Sequence, residues 1–398
     1  MRPRVESGRT LLWSAAFLRL WIATTASGLA TWALPFVLGF AVLERSMTAV
    51  ELGVVLAART VGFLVAVPVA GVLADRHSRR RVVLWAGLVA ALSSPLIAVG
   101  LGRSVVVMAL AAAVVGAGQG ACRPAFQALT AEVVAEDRRR QANAAMTLAV
   151  RVTTLVAPSL TALLALVVDT PTLIVATAVL WLGAALIPPP GGVVVPVARR
   201  RFAAEFLDGV REARRHPWFV AGLGALTAVI ATGYSATGVV LPLVSRDRYG
   251  TGAVLAAAMT AYTVGALGGA VIAGRRGSRA QGWTALAGLA CYGFVPLSLL
   301  LPVHAVVVIA AYVLAGVGIE LFNVPWFTAA QREVEPSVLA RVSSLDFLLS
   351  YGLAPVGLAL IAPAIDGFGP NVVLAVCAVV CFAAPAAAAL VPSTRDFR

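Results

Sequence analysis

The chain has 398 residues, of which 60% are hydrophobic and only 12% charged; a soluble domain carries about 45–50% apolar and about 25% charged residues, so a water-soluble globular fold is excluded. The formal charge of +13 comes from arginine with no lysine, in short clusters between apolar runs. That pattern sets aside a nucleic-acid-binding face and, without the P-loop lysine, an ATPase.

In chain order, Met1 to Thr10 is short and basic, and the apolar stretch behind it is too long for a signal-peptide core; it reads as a retained first span. Apolar runs of about 20 residues, the length that crosses a hydrocarbon core, predict spans at Phe17–Leu43, Leu52–Ala74, Val82–Leu101, Val105–Ala128, Ala142–Val168 and Thr172–Ile187. The longest polar stretch, Pro188 to Pro217, follows; within it Arg199 to Arg215 reads as an amphipathic helix with Phe202, Phe206, Val210 and Ala213 on one stripe. A basic helix of this kind suits an anionic lipid surface. Six further spans are predicted at Phe219–Val244, Ala253–Ala273, Trp283–Leu301, Ala305–Phe327, Val342–Ala364 and Val372–Val391. The expected organisation is a bundle over 1–187, a cytoplasmic linker over 188–217 and a second bundle over 218–398.

Arginine placement orients the chain. On one side of these spans lie 23 arginines, including Arg76 to Arg81, Arg138 to Arg140 and Arg199 to Arg215; the other side has only Arg45, Arg103, Arg246 and Arg248. The positive-inside rule puts both termini and the linker in the cytoplasm of an inner or plasma membrane. Trp85, Trp218, Trp283 and Trp326 fall at cytoplasmic span ends and are expected to form an interfacial belt. Cys122, Cys291, Cys377 and Cys381 lie inside apolar runs without metal-ligand spacing and read as small packing residues.

The two halves echo each other. Gly116-Ala117-Gly118 matches Gly316-Val317-Gly318 at an offset of 200, Arg123-Pro124-Ala125-Phe126 is echoed by Asn323-Val324-Pro325-Trp326, and Pro158 by Pro355. Ser78-Arg79 recurs as Ser278-Arg279. Their shared place within a six-span unit indicates internal duplication.

The loop after the second span, Gly71-Val72-Leu73-Ala74-Asp75-Arg76-His77-Ser78-Arg79-Arg80-Arg81, resembles the signature loop of the major facilitator superfamily, with Ser78 where that family usually has glycine. Phe17-Leu18-Arg19-Leu20-Trp21, Ala57-Ala58-Arg59-Thr60, Arg123-Pro124-Ala125-Phe126 and Arg341-Val342-Ser343-Ser344-Leu345-Asp346 are similar to its macrolide and enterobactin exporter branch. The antiporter proline motif is reduced to Ala157-Pro158-Ser159, and the fourth span keeps Gln119-Gly120 but has Gly116 where drug antiporters place arginine. The resemblance implies an all-α membrane fold of twelve helices in two pseudo-symmetric six-helix bundles. It also implies a cytoplasmic gate at Gly71, Asp75, Arg76, Arg79 and Arg80, with Arg123 and Arg341 as partners of Asp75; the plainer reading of Asp75 is a solvated loop charge.

Six ionisable residues lie inside predicted spans: Arg19, Arg59, Arg123, Arg151, Glu320 and Asp346. A charge at a helix centre costs about 2.5–3.5 kcal/mol on insertion scales, so such groups face water, a partner or a substrate. Arg151 sits roughly 15 Å into its span at 1.5 Å per residue and is expected either to bind a substrate anion or to pair between helices. Glu320 reads as a proton-exchanging carboxyl or as a gate bond. Asp346 reads as a pathway carboxyl or as a cap in the first turn of its helix. Arg59 reads as a pathway cation or as one that snorkels outward. Arg19 and Arg123 suit gating or anchoring near the cytoplasmic surface.

The expected function is secondary transport: export of an amphipathic small molecule by alternating access, with protons as the coupling ion. Uptake by the same fold, or a non-transporting sensor or partner subunit, are the alternatives. The chain reads as a monomer with no cofactor. His77, His216 and His304 all lie in loops without a second histidine at ligand spacing, which argues against an enzyme.

Overall fold

The computed structural model describes residues 14–191, 202–250, 252–275, 281–352 and 354–397. The expectations for Met1 to Thr10, Arg199 to Arg201 and Ser278-Arg279 lie outside the described residues. No strand occurs among them. The chain divides into two compact units, Met1–Arg199 and Arg200–Arg398, a boundary inside the stretch read as a linker.

The first unit comprises α1 (Ala15–Leu43), α2 (Ala49–Arg76), α3 (Arg79–Gly100), α4 (Val105–Val133), α5 (Arg139–Leu164) and α6 (Thr170–Leu186). Local chemistry sets several starts. Thr48 and Glu51 form a reciprocal capping box at α2, with Glu51 N donating to Thr48 Oγ1 at 3.2 Å and Thr48 N to the Glu51 carboxylate at 2.7 Å. Pro171 stands in the first turn of α6, where its missing N–H leaves no helical bond unmade. In this unit α4 packs on α2 and α3, and α1 on α5 and α6.

The second unit comprises α7 (Phe202–Arg215), α8 (Pro217–Val229), α9 (Ser235–Asp247), α10 (Ala253–Arg275), α11 (Gln281–Ala290), α12 (Phe294–Leu300), α13 (Ala305–Glu333), α14 (Leu339–Gly352), α15 (Ala354–Phe368) and α16 (Pro370–Ala389). A π-helical turn, Ile230–Tyr234, joins α8 to α9, and a 3-10 turn, Cys291–Gly293, joins α11 to α12. Among the described residues ten helical segments are long and apolar enough to cross a membrane. The 17-residue α6 and the consecutive pair α14 and α15 occupy the sixth and eleventh predicted spans. This is an all-α, multi-pass membrane protein built from two repeated helical bundles.

The repeat is visible in packing as well as in letters. In the second unit α13 packs on α10 and α11, as α4 does on α2 and α3 in the first; α16 packs on α8 and α11, as α6 does on α1 and α3. The glycines explain the closest crossings. A Cβ at Gly116 would fall on the Arg59 carbonyl oxygen of α2, and one at Gly316 on the Tyr262 carbonyl oxygen of α10. Where lipid removes the hydrophobic drive between helices, small residues at such crossings let dispersion contacts hold the pair.

Two expectations change. Trp85 and Trp283 are exposed, but Trp218 and Trp326 are fully buried, so they are not belt residues. They form an aromatic core with Phe219, Phe322 and Phe397, Trp326 stacking on Phe219 at a centroid distance of 4.8 Å. A position at a span end could not reveal that Phe397 folds back to cover them. The tail is tied down further: the backbone N–H of Gly282, at the start of α11, donates to Arg395 O at 2.9 Å, and the Arg395 guanidinium lies 5.6 Å over the Trp283 ring. Second, α7 packs against α8 and α14 of its own unit. Its Glu205, Gly209 and Ala213 form the buried stripe, while Arg211, Arg214 and Arg215 face outward.

Candidate functional site

Arg59 is the best-defined polar group in the first unit. It is half-buried on α2 beside the Gly116 crossing. Its Nη2 donates to the Thr31 carbonyl of α1 at 3.0 Å and to Gln119 Oε1 of α4 at 2.7 Å. Three helices therefore meet at one guanidinium. Among the described residues no carboxylate pairs with it, so its charge is solvated by neutral dipoles but not cancelled. Arg123, one turn past Gln119 on α4, is near enough for its own positive charge to act on Arg59. An anion fits an uncancelled cation that has five N–H donors and uses one nitrogen for the protein. The family-like pair Gln119-Gly120 marked this position in the sequence, but only the fold reveals Gln119 as the acceptor that aims Arg59.

Arg151 is half-buried on α5, a helix that packs on α1 through the contact of Gly28 with Thr153. Arg59 and Arg151 thus belong to the same unit, on helices that both adjoin α1.

The signature residues gather at the α2–α3 junction. Gly71 and Asp75 are buried in α2, and Arg76 closes the helix half-buried. Arg79, buried at the start of α3, approaches Asp75 Oδ1 at 3.8 Å and forms a close ion pair with Glu132 at the end of α4. Asp75 is therefore an enclosed carboxylate within a network and not a solvated loop charge. Glu132 was not singled out in the sequence, because a lone glutamate at a helix end carries no spacing signal.

Arg80 and Arg19 act elsewhere. The last carbonyls of α6 run into Pro188-Pro189-Pro190, which supply no N–H to meet them. Arg80 donates to Leu186 O at 3.1 Å and Pro188 O at 2.9 Å, and Arg19 to Ile187 O at 2.8 Å. Two guanidiniums thereby cap α6 and meet the negative end of its dipole.

In the second unit Glu320 is wholly enclosed in α13, where Asn323 Nδ2 approaches its Oε2 at 3.4 Å. Asp346 is also buried and accepts from Ser350 Oγ at 3.1 Å. Because α14 begins at Leu339, Asp346 stands two turns inside the helix; the capping reading is corrected, since a cap must precede the first turn. Arg341, buried near the start of α14, donates to the Glu205 carbonyl of α7 at 3.4 Å and to the Ser337 carbonyl at 3.3 Å. Glu205 is the second partner that pattern alone did not reveal. No group of three or more His, Cys, Asp or Glu is arranged to hold a metal among the described residues.

Comparison with known proteins places this geometry. The chain matches the Major Facilitator Superfamily over residues 20–358. No curated protein matches it in sequence. Among solved structures it is similar to the human organic anion transporter MFSD10 (TETRAN), with a TM-score of 0.77 and 15% identity over 94% of this chain and 99% of the other. It is also similar to a bacterial homologue of the iron transporter ferroportin in an outward-facing state with soaked iron, with a TM-score of 0.73 and 15% identity over 94% and 98% of the two chains. At that identity the likeness concerns the fold. The matched length covers most of both repeated units, and the chain belongs to the Major Facilitator Superfamily.

Proposed function

We propose that this membrane transporter exports amphipathic small molecules bearing an acidic group, by alternating access and in exchange for protons. The observation that carries the reading is Arg59: a half-buried guanidinium at the meeting of three helices, held by two neutral acceptors and paired with no carboxylate among the described residues. Such a cation is costly in a dry span, and a substrate anion offsets that cost when it binds. Arg151 supplies a second cation on α5, which like α2 adjoins α1. Export follows from the similarity of the Arg19, Arg59, Arg123 and Arg341 segments to the exporter branch.

Glu320 and Asp346 are the proton-carrying carboxyls of this reading, because a carboxyl whose surroundings alternate between dry and wet can take up and release a proton. The Asp75–Arg79–Glu132 network, with Gly71 and Arg76 beside it at the end of α2, forms the cytoplasmic gate of this reading. The protein works as a monomer in the plasma membrane, both termini in the cytoplasm, with the outward arginines of α7 against anionic lipid.

The test is transport in inverted membrane vesicles with an imposed pH gradient, interior acid, against amphipathic acids, bases and neutral compounds. The expected result is uptake of acids into the vesicles that a protonophore abolishes and that Arg59→Gln removes. Equal movement of bases and acids, or movement indifferent to the gradient, overturns the reading.

A further inference from the structure

The second unit contains two helix distortions with no counterpart in the first. Its Pro217–Asp247 span carries the π-helical turn Ile230–Tyr234, and its Gln281–Leu300 span carries the 3-10 turn Cys291–Gly293. The corresponding α1 and α3 run as uninterrupted α-helices. Hydroxyls sustain the π turn: Thr232 Oγ1 bonds Ala228 O at 2.6 Å and Ser235 Oγ bonds Ile230 O at 3.1 Å, an alternative set of backbone partners that such side chains offer. Single π turns of this sort are frequent at functional sites.

Both distortions fall at tyrosines. Of the six tyrosines in the chain, four come together here. Tyr234 and Tyr292 have ring centroids 6.3 Å apart, and Tyr262 and Tyr292 6.5 Å apart; Tyr312 of α13 is near enough to act electrostatically on Tyr292. The Tyr292 hydroxyl shares a hydrogen bond with Thr237 Oγ1 at 3.0 Å. Tyr292 and Tyr312 are buried, Tyr262 is half-buried and Tyr234 is 49% exposed. The Tyr234 hydroxyl makes no hydrogen bond among the described residues.

Membrane tyrosines belong at the interface, where the ring is in lipid and the hydroxyl in water. Tyr234, Tyr262 and Tyr292 instead lie within one turn of the middle of their spans. A hydroxyl without a partner at that depth requires water or a ligand. The side chains that meet Tyr292 include Tyr234, Tyr262 and Thr237, none formally charged. We propose that the Tyr234–Tyr262 face of this cluster, backed by Tyr292 and Tyr312, is a binding subsite for a planar aromatic group bearing a hydrogen-bond acceptor or donor. The ring stacks against the tyrosines and its polar atom meets the Tyr234 hydroxyl. The inference rests on the reading of the chain as a small-molecule transporter, to which it adds an uncharged aromatic subsite in the unit that lacks Arg59.

The test is fluorine NMR on the purified full-length protein labelled with fluorotyrosine, titrated with β-naphthol and, separately, with tetraphenylphosphonium. Tyr249, whose hydroxyl bonds Val303 O at 2.7 Å outside the cluster, is the internal control. The expected result is a saturable shift of Tyr234 and Tyr262 by β-naphthol with Tyr249 unmoved. Tyr234→Ala should weaken binding about tenfold, as loss of a stacked ring does, while Tyr234→Phe retains the larger part of it. Equal affinity for Tyr234→Ala and the unmodified protein overturns the proposal, as does a non-saturating shift shared with Tyr249. Saturable binding of tetraphenylphosphonium alone overturns it in favour of a cation site. Binding is read without a gradient, so a protein that binds β-naphthol but transports nothing loses the transport reading and keeps the subsite.

Discussion

Arg59 meets two neutral oxygens and no carboxylate, whereas Glu320 is sealed beside Asn323 with no accessible surface. These opposite situations give different expectations on substitution. A hydrogen bond to a charged group is worth about 1.5–3 kcal/mol, so Arg59→Gln should weaken binding of an amphipathic acid by about ten- to a hundredfold in equilibrium dialysis. Arg59→Lys should recover only part of it, since an ammonium cannot reach Thr31, Gln119 and a ligand together. Unaltered affinity in Arg59→Gln would remove the anion site. Glu320→Gln keeps the oxygen that Asn323 approaches but cannot release a proton; it should abolish gradient-driven transport while preserving substrate counterflow. Full gradient-driven transport in that variant would reduce Glu320 to a packing bond. Asp75→Asn leaves Arg79 its pair with Glu132, so folding should persist while turnover drops and cysteine labelling at the cytoplasmic end increases. Normal turnover with normal labelling would sink the gate assignment. Cost alone pointed to Arg59 and Glu320 in the sequence. Gln119, Glu132 and Asn323 were silent as partners because neutral or terminal residues carry no such cost.

Helix crossings carry the stability of each unit. Gly116 and Gly316 stand where a methyl group would overlap a carbonyl oxygen of the neighbouring helix, while Gly39 and Gly268 have open space around their Cβ positions. Gly116→Ala and Gly316→Ala should each destabilise the protein by about 1–3 kcal/mol, the usual range for overpacking, and lower its melting temperature in detergent. Gly39→Ala and Gly268→Ala should leave it unchanged or slightly raised. Equal melting temperatures for all four would mean that the α2–α4 and α10–α13 contacts relax freely. The offset of 200 made the glycine repeat legible, because a strict small-residue spacing is itself the packing device.

Across the whole molecule the arginine asymmetry, 23 against four, predicts one orientation for all the spans together. Single cysteines in place of Arg45, Arg103 and Arg246 should react with a membrane-impermeant maleimide in intact cells, and one in place of Arg211 only after lysis. Labelling of the Arg211 position in intact cells would invert the topology. This expectation depends on charge sums over loops and not on any side-chain contact, which is why it can be drawn without the fold.

The membrane class, the helical spans, the six-plus-six repeat and the kinship of the Gly71 to Arg81 loop were all written in the sequence, because each depends on local composition or spacing. Lipid demands long apolar helices wherever they pack. What the tertiary structure decided concerns groups that meet from distant positions. It buried Trp218 and Trp326 under Phe397, turned Arg80 and Arg19 into caps for α6, and set Asp346 two turns inside α14. It also interrupted two spans with a π-helical and a 3-10 turn and brought the rings of Tyr234, Tyr262 and Tyr292 together. Those outcomes rest on side-chain geometry between helices far apart along the chain, which neither hydropathy nor periodicity encodes.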